Sequence, residues 1–297
     1  MAQPIKIKLD TDKYRMPTQE DIAAAKEYIL QREEYAGILG DRIDELIADA
    51  AERVVIICYR YNVSPKLLYI SSAFNAEMMA EIAAVMDELE VSILNLIREY
   101  ATRVTLSRAR AMELAEWMSG LGKGGNNLED TLYNYMYKMM KDWEAAIAAL
   151  RYNGVPVADA VNTVKTHLHS IYTIPQVVAA FKRWQEFAAT YIRSRGVQYG
   201  AVGISNNGST NVVNMAKYTL QLVWKHNQQL DLEEDDTIAG FYVGRGSGFN
   251  CDWCDEYVGW HPIDDTDALP PRHPHCCCWA VPIAYNKEQE PIEYEPI

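Results

Sequence analysis

Cys251, Cys254, His273, Cys276 and Cys278 place four thiols and an imidazole in one short stretch, 251–279, which holds five of the chain's six cysteines and three of its six histidines. Cys251 and Cys254 form a Cys-x-x-Cys pair. His273 and Cys276 form a His-x-x-Cys pair, with Cys278 two residues further on. A two-residue spacer lets both side chains of a pair turn toward one ion at a strand end or tight turn. Two such pairs supply four soft or borderline donors, the set that suits tetrahedral zinc. The spacer from Cys254 to His273 lies within the range of two-knuckle sites. Pro270, Pro271 and Pro274 stiffen the second arm and lower the entropy cost of presenting it. The expectation is a structural zinc held among Cys251, Cys254, His273, Cys276 and Cys278, with the choice among Cys276, Cys277 and Cys278 left open. A disulfide such as Cys254 to Cys278 is the alternative, and reactive or simply packed thiols are a third. Cys58, alone in an apolar helical stretch, reads as core.

A catalytic use of the same residues needs an open metal position and a general base. His261, Asp264, Asp265 and His275 are the candidates for a base. A metal-dependent nuclease or toxin-like effector, with His261 or His275 as base, is therefore the competing class. The deaminase pattern His-x-Glu followed by Pro-Cys-x-x-Cys is absent, as are His-Glu-x-x-His and Gly-x-Ser-x-Gly.

The elements that must present this cluster read as helices first and strands last. Thr18 with Asp21 three residues later suggests a capped helix start, and Ile22, Ala25, Ile29 and Leu30 follow at helical spacing. Gly37 and Gly40 interrupt. A second helix is expected over about 41–61, ended by Ser64-Pro65. The segment 65–118 is expected to break into two or three helices. Ser119 to Asn127, with four glycines, reads as a flexible connector rather than a phosphate loop. Helices are expected at 128–151, 157–172 and 175–195, a Gly-rich linker at 196–210, and a helix at 211–229. Met and Tyr in 133–143 read as core and helix packing. Thr237–Gly244 and Cys276–Ala284 read as partner strands around the cysteine stretch, forming a metal-pinned hairpin. The fold class expected is mainly α: a helical body over 1–195, a small C-terminal α+β subdomain over 211–285 carrying a zinc-knuckle-like hairpin, and an acidic tail over 286–297.

Composition narrows the class further. The chain of 297 residues is 49% hydrophobic and 23% charged, an ordinary globular balance. Its net charge of −13 opposes generic nucleic-acid binding. The charge is uneven: Arg151 to Leu230 carries eight basic residues against Asp159 and Glu186. That face is a candidate contact for an acidic partner or a nucleic-acid backbone. No membrane span is expected, and the first residues lack the apolar core of a secretory signal. A reducing compartment is expected, where clustered Cys and His favour metal over disulfide.

The pattern His273-Pro274-x-Cys276-x-Cys278, after a prolyl stretch and before a short apolar strand, resembles the C-terminal signature of phage minor head proteins, the Mu F-like head morphogenesis family. Upstream, Cys254, Asp255 and Gly259 match that family's Cys-Asp-x-x-x-Gly segment, and Cys251 matches the partner cysteine of many members. The helix Asn211–Gln228 resembles the one before the family's strand. Two departures stand out: Lys217-Tyr218-Thr219 where the family often has Arg-Thr-Glu, and Cys277 where it has Arg. The resemblance covers about 211–283. It implies a virion component without enzymatic turnover, present in several copies at the portal and acting in head assembly, DNA packaging or ejection. Its implied partners are the portal protein and other head proteins, in the virion and, during assembly, in the host cytoplasm.

Overall fold

The structure, a computed structural model, describes residues 12–61, 76–121, 127–183, 207–246, 248 and 251–285, with backbone alone at 180–183. The chain is mainly helical. Its helices are α1 (Gln19–Arg60), α2 (Ala76–Thr102), α3 (Arg108–Ser119), α4 (Leu128–Tyr152), α5 (Val157–Thr166), α6 (Pro175–Arg183) and α7 (Gly208–Glu233), with a single 3₁₀ turn at Ile171–Thr173. Strand β1 (Ile238–Gly244), a one-turn helix α8 (Asp252–Asp255), β2 (Gly259–Pro262) and β3 (Trp279–Ala284) follow.

Helix α1 opens as its sequence suggests. The Thr18 hydroxyl accepts from the Asp21 backbone N–H, and the Asp21 carboxylate accepts from the Thr18 backbone N–H at 2.8 Å. These bonds hold the Asp21 carboxyl below the usual carboxylate range. The interruption expected at Gly37 and Gly40 does not occur, and α1 runs unbroken for 42 residues, about 63 Å. A helical glycine costs about 1 kcal/mol relative to alanine. The continuous buried stripe Ala36, Leu39, Ile43, Ile47, Ala50 and Val54 outweighs two such costs. Segment 65–118 resolves into α2 and α3, with 62–75 outside the described residues. The expected helix 157–172 is shorter: α5 ends at Thr166, where His167, Leu168 and His169 form a turn. Most of the connector at 119–127, the linker at 196–206, the end of the helix expected over 175–195, and the tail at 286–297 lie outside the described residues.

The helices bury one large core, drawn from α1, α2, α3, α4, α5 and α7 and including Cys58, Met139, Trp143, Leu220 and Val223. Burial pushes the Cys58 thiol up to about 12, as befits a packed and inert cysteine. Helix α4 divides by face: Met136, Met139 and Trp143 are buried, whereas Tyr133 and Tyr137 are exposed. Helix α7 reaches back into this body at its first residue. A Cβ on Gly208 would lie 2.3 Å from the Met139 Cα, so the two backbones touch only because position 208 has no side chain. The Gly208 N–H donates to the buried Asp142 carboxylate at 2.7 Å, capping α7 from α4. The C-terminal unit expected over 211–285 therefore shares its first helix with the body.

One titratable link joins three elements of this body. His169 Nε2 lies 2.9 Å from Asp44 of α1, and its Nδ1 lies 3.0 Å from the Thr210 hydroxyl of α7. The hydrogen bond and charge of Asp44 raise the His169 pKa above its ordinary 6.5. A raised folded pKa means stability that is fully present below about pH 6.5 and lost as pH rises through the folded value. His169→Gln should therefore lower the melting point at pH 6 and match the parent at pH 9. Because the pair is half-exposed, the loss should stay under about 1 kcal/mol. Thermal melts across that range provide the check.

The sheet is antiparallel in the order β2-β1-β3. Phe241 pairs with His261 on one side and Pro282 on the other, and the β1–β3 register slips between Ile238 and Gly240. The partner strands expected at 237–244 and 276–284 do pair, although the second begins at Trp279, leaving 276–278 as the approach to it. Strand β2 has no strong sequence signal: it is four residues long and ends in proline. A second, small core lies behind the sheet: Leu232, Phe241, Val243, Ala268, Leu269 and Ala280, together with Cys254, Cys276 and Cys278. Ile29 of α1 packs with Trp279 and Val281 of β3, seating the sheet against the body.

Candidate metal centre

Both cysteine-bearing arms are tight turns closed in the same way. In the first, the Cys254 N–H donates to the Cys251 carbonyl at 2.9 Å. In the second, the Cys276 N–H donates to the His273 carbonyl at 3.2 Å, with His275 in the left-handed region at φ 63°. A three-residue reversal returns the fourth side chain to the side of the first, which is why the x-x spacing brings each pair together. Space for the first arm comes from Gly246: a Cβ there would lie 1.5 Å from the Cys277 carbonyl oxygen, so the chain leaving β1 runs directly across the second arm.

The two turns face each other. His273 Nε2 lies 3.1 Å from both the Cys251 and the Cys254 sulfur, and the Cys254 and Cys276 sulfurs are 3.7 Å apart. Cys251, Cys254 and His273 form one group of donors within 4.8 Å of one another; Cys254, Cys276 and Cys278 form a second that shares Cys254. Two thiolates on one tetrahedral zinc, each at about 2.3 Å, stand about 3.8 Å apart, which matches the Cys254–Cys276 spacing. The histidine is also oriented for ligation. Its Nδ1 lies 2.7 Å from the Pro274 carbonyl, which can only accept, so Nδ1 carries the proton and Nε2 turns its lone pair to the sulfurs. These residues can hold a metal ion.

The electrostatics of the bare thiols point the same way. A hydrogen bond from the Cys278 thiol, with backbone N–H groups of Arg272 and Cys278, draws the Cys276 thiol well below its ordinary range. Burial and the neighbouring Cys276 sulfur push Cys254 up to about 12, and the bond to Cys276 together with burial pushes Cys278 upward. One thiolate is thus favoured, and further ionisation in this buried cluster is opposed by like charge. A divalent cation reverses that balance.

All five residues expected to be ligands meet here, and the ambiguity among the three consecutive cysteines narrows. Cys276 and Cys278 are buried in the cluster, whereas Cys277 is exposed and its thiol turns to the His275 carbonyl. Alternation along extended chain accounts for this, and was a usable signal in the sequence. No two cysteines among the described residues are at bonding distance, and all are free thiols. His261 lies outside the donor groups. Its Nδ1 meets Asp265 at 2.8 Å and its Nε2 meets the Tyr257 carbonyl at 2.9 Å, so both ring nitrogens are engaged. His275 is exposed and also outside the donor groups. Sequence reasoning did not single out Arg32 of α1, whose Nη2 lies 2.5 Å from the Cys276 carbonyl oxygen.

No protein-family model, curated protein or solved structure matches this chain.

Proposed function

We propose that the chain is a structural minor head protein of a tailed bacteriophage, of the Mu F-like kind, whose C-terminal knuckle is pinned by zinc. The observation that carries the reading is the approach of the two knuckles on which the resemblance rests: Cys251, Cys254 and His273 form one donor group, and Cys254, Cys276 and Cys278 form a second that shares Cys254. The order of helix α7, strand, first knuckle, second knuckle and strand agrees with it. Zinc is the metal because four to five sulfur and imidazole donors in a buried setting suit it above harder cations. A donor set that exceeds tetrahedral need favours a closed structural site over one that keeps a position for water. The engaged ring nitrogens of His261 remove one candidate base from the nuclease reading.

In this reading the helical body docks on the portal in several copies, and the knuckle stiffens one end of the adaptor. Part of the basic segment is already used inside the molecule. Lys165 pairs with Glu52, Arg151 donates to the Cys58 carbonyl, and Lys225 is half-buried. The contact with DNA or an acidic portal surface is assigned to other cations of the segment, among them Arg193 and Arg195, which lie outside the described residues. No helix among the described residues is long and apolar enough to cross a membrane.

The test is co-expression with the portal protein of the same phage, followed by co-purification and mass spectrometry of particles. The chain should travel with the portal in a few copies per particle, and Arg193→Glu with Arg195→Glu should weaken that association. Absence from particles, together with metal-dependent cleavage of plasmid DNA that His275→Ala abolishes, would replace this reading with the nuclease.

A further inference from the structure

Arg32 lies at the end of the first third of α1 and is 1% exposed. Its guanidinium is shared. Nη2 donates to the Cys276 carbonyl at 2.5 Å and to Glu33 Oε1 at 2.8 Å, and Nε donates to the same carboxylate oxygen at 3.1 Å. Glu33 in turn accepts from the Gln221 side-chain amide of α7 at 2.9 and 2.8 Å. Consecutive residues on a helix point about 100° apart and do not ordinarily face each other. Here they converge because both are drawn to one place, the seam between the helical body and the second knuckle. The network runs from α7 through Glu33 and Arg32 to the backbone of a candidate ligand.

Burying a guanidinium is unfavourable unless its hydrogen bonds are met, so a buried arginine of this kind specifies one arrangement of its partners. Beside the Glu33 carboxylate, its other partner is a backbone group, the carbonyl of Cys276. Holding that oxygen fixes the plane of the peptide between Cys276 and Cys277. That peptide leaves directly from the Cys276 Cα, so its plane restrains the backbone that carries the ligand sulfur. Outer partners of this type orient metal ligands and commonly change affinity about 10–100-fold when removed. The guanidinium also brings a positive charge to the edge of a thiolate cluster, where anionic sulfur accumulates on metal binding.

We infer that Arg32 is a positioning residue for the metal centre: it holds Cys276 in its ligating orientation, and through Glu33 and Gln221 it ties metal occupancy to helices α1 and α7. This rests on the metal reading given above and adds a residue 244 positions from the ligand it controls.

The test uses the full chain with cobalt(II) as a spectroscopic stand-in and zinc competition against a chelator. In the parent, cobalt should give thiolate charge-transfer and tetrahedral ligand-field bands. Arg32→Met, which keeps the packing and removes the guanidinium, should weaken zinc binding about tenfold and shift those bands. Arg32→Lys should recover part of the affinity, because one ammonium reaches one acceptor where the guanidinium reaches two. Parental affinity and spectrum in Arg32→Met, with only the melting point lowered, would overturn the inference. If Arg32→Met does not fold, Glu33→Gln is read instead. It loosens the anchor from a partly exposed position and should cost about threefold, and no change in affinity or spectrum there overturns the inference equally. A parent chain that takes up no cobalt and no zinc sinks the metal centre itself, and Arg32's role with it.

Discussion

Cys254→Ala should take the purified chain from about one bound zinc to none, and remove the fold of 238–285 while α1 to α7 stay intact. Cys254 is the residue common to both donor groups, close to the His273 nitrogen on one side and the Cys276 sulfur on the other. Losing any outlying donor leaves a neighbour to compensate; losing this one separates the two arms. The energetic stake is large because the second core is small. A unit of this size rarely draws more than about 3–5 kcal/mol from apolar packing alone, and three of its buried residues are the cysteines themselves. Structural zinc supplies on the order of 10–16 kcal/mol to domains that depend on it. Metal analysis, paired with amide hydrogen exchange, reads the result. Protection should vanish from β1, β2 and β3 and persist in α2 and α4, where the main core has no part of the knuckle. Cys277→Ser is the control: its thiol is exposed and faces away, so zinc content and exchange should match the parent. Retention of zinc by Cys254→Ala would mean that the second arm ligates without the first.

The Cys/His cluster was legible in the sequence because its geometry is local. Each x-x pair is a turn closed by its own backbone, so spacing alone brings the two side chains together. Two of the strands were legible for the same reason, as apolar runs beside turns. The rest depends on contacts that spacing does not encode. Gly37 and Gly40 suggested a break, yet Gly40 serves the packing of a distant residue: a Cβ there would lie 2.0 Å from Lys217 of α7. Strand β2 exists only because β1 offers it an edge. Arg32 belongs to no motif and acts on Cys276 from the opposite end of the chain. What the motif identifies is the donor set. What positions that set is supplied by a helix whose own pattern is that of an ordinary amphipathic element, and a reading by motif passes over it.

The converse experiment perturbs the body and leaves the knuckle alone. Trp143→Ala should destabilise the chain by about 3–5 kcal/mol and lower the melting point by roughly 10 °C, with zinc content unchanged below the new transition. Trp143 is fully buried in α4 at the centre of the main core. Its indole N–H meets no acceptor among the described residues, so truncation forfeits no hydrogen bond and the cost is that of the cavity. The second core shares no residue with the main one; α7 contributes to both, and Ile29 beside Trp279 and the Arg32 network add further links. If those links transmit orientation rather than stability, a weakened body still presents Arg32 to the Cys276 carbonyl, and the metal holds. Zinc loss in step with body stability, at temperatures where α4 and α7 remain folded, would instead make the two cores one cooperative unit. In that case the knuckle would report the state of the whole helical body, and any partner that loosens α1 or α7 would also loosen the metal.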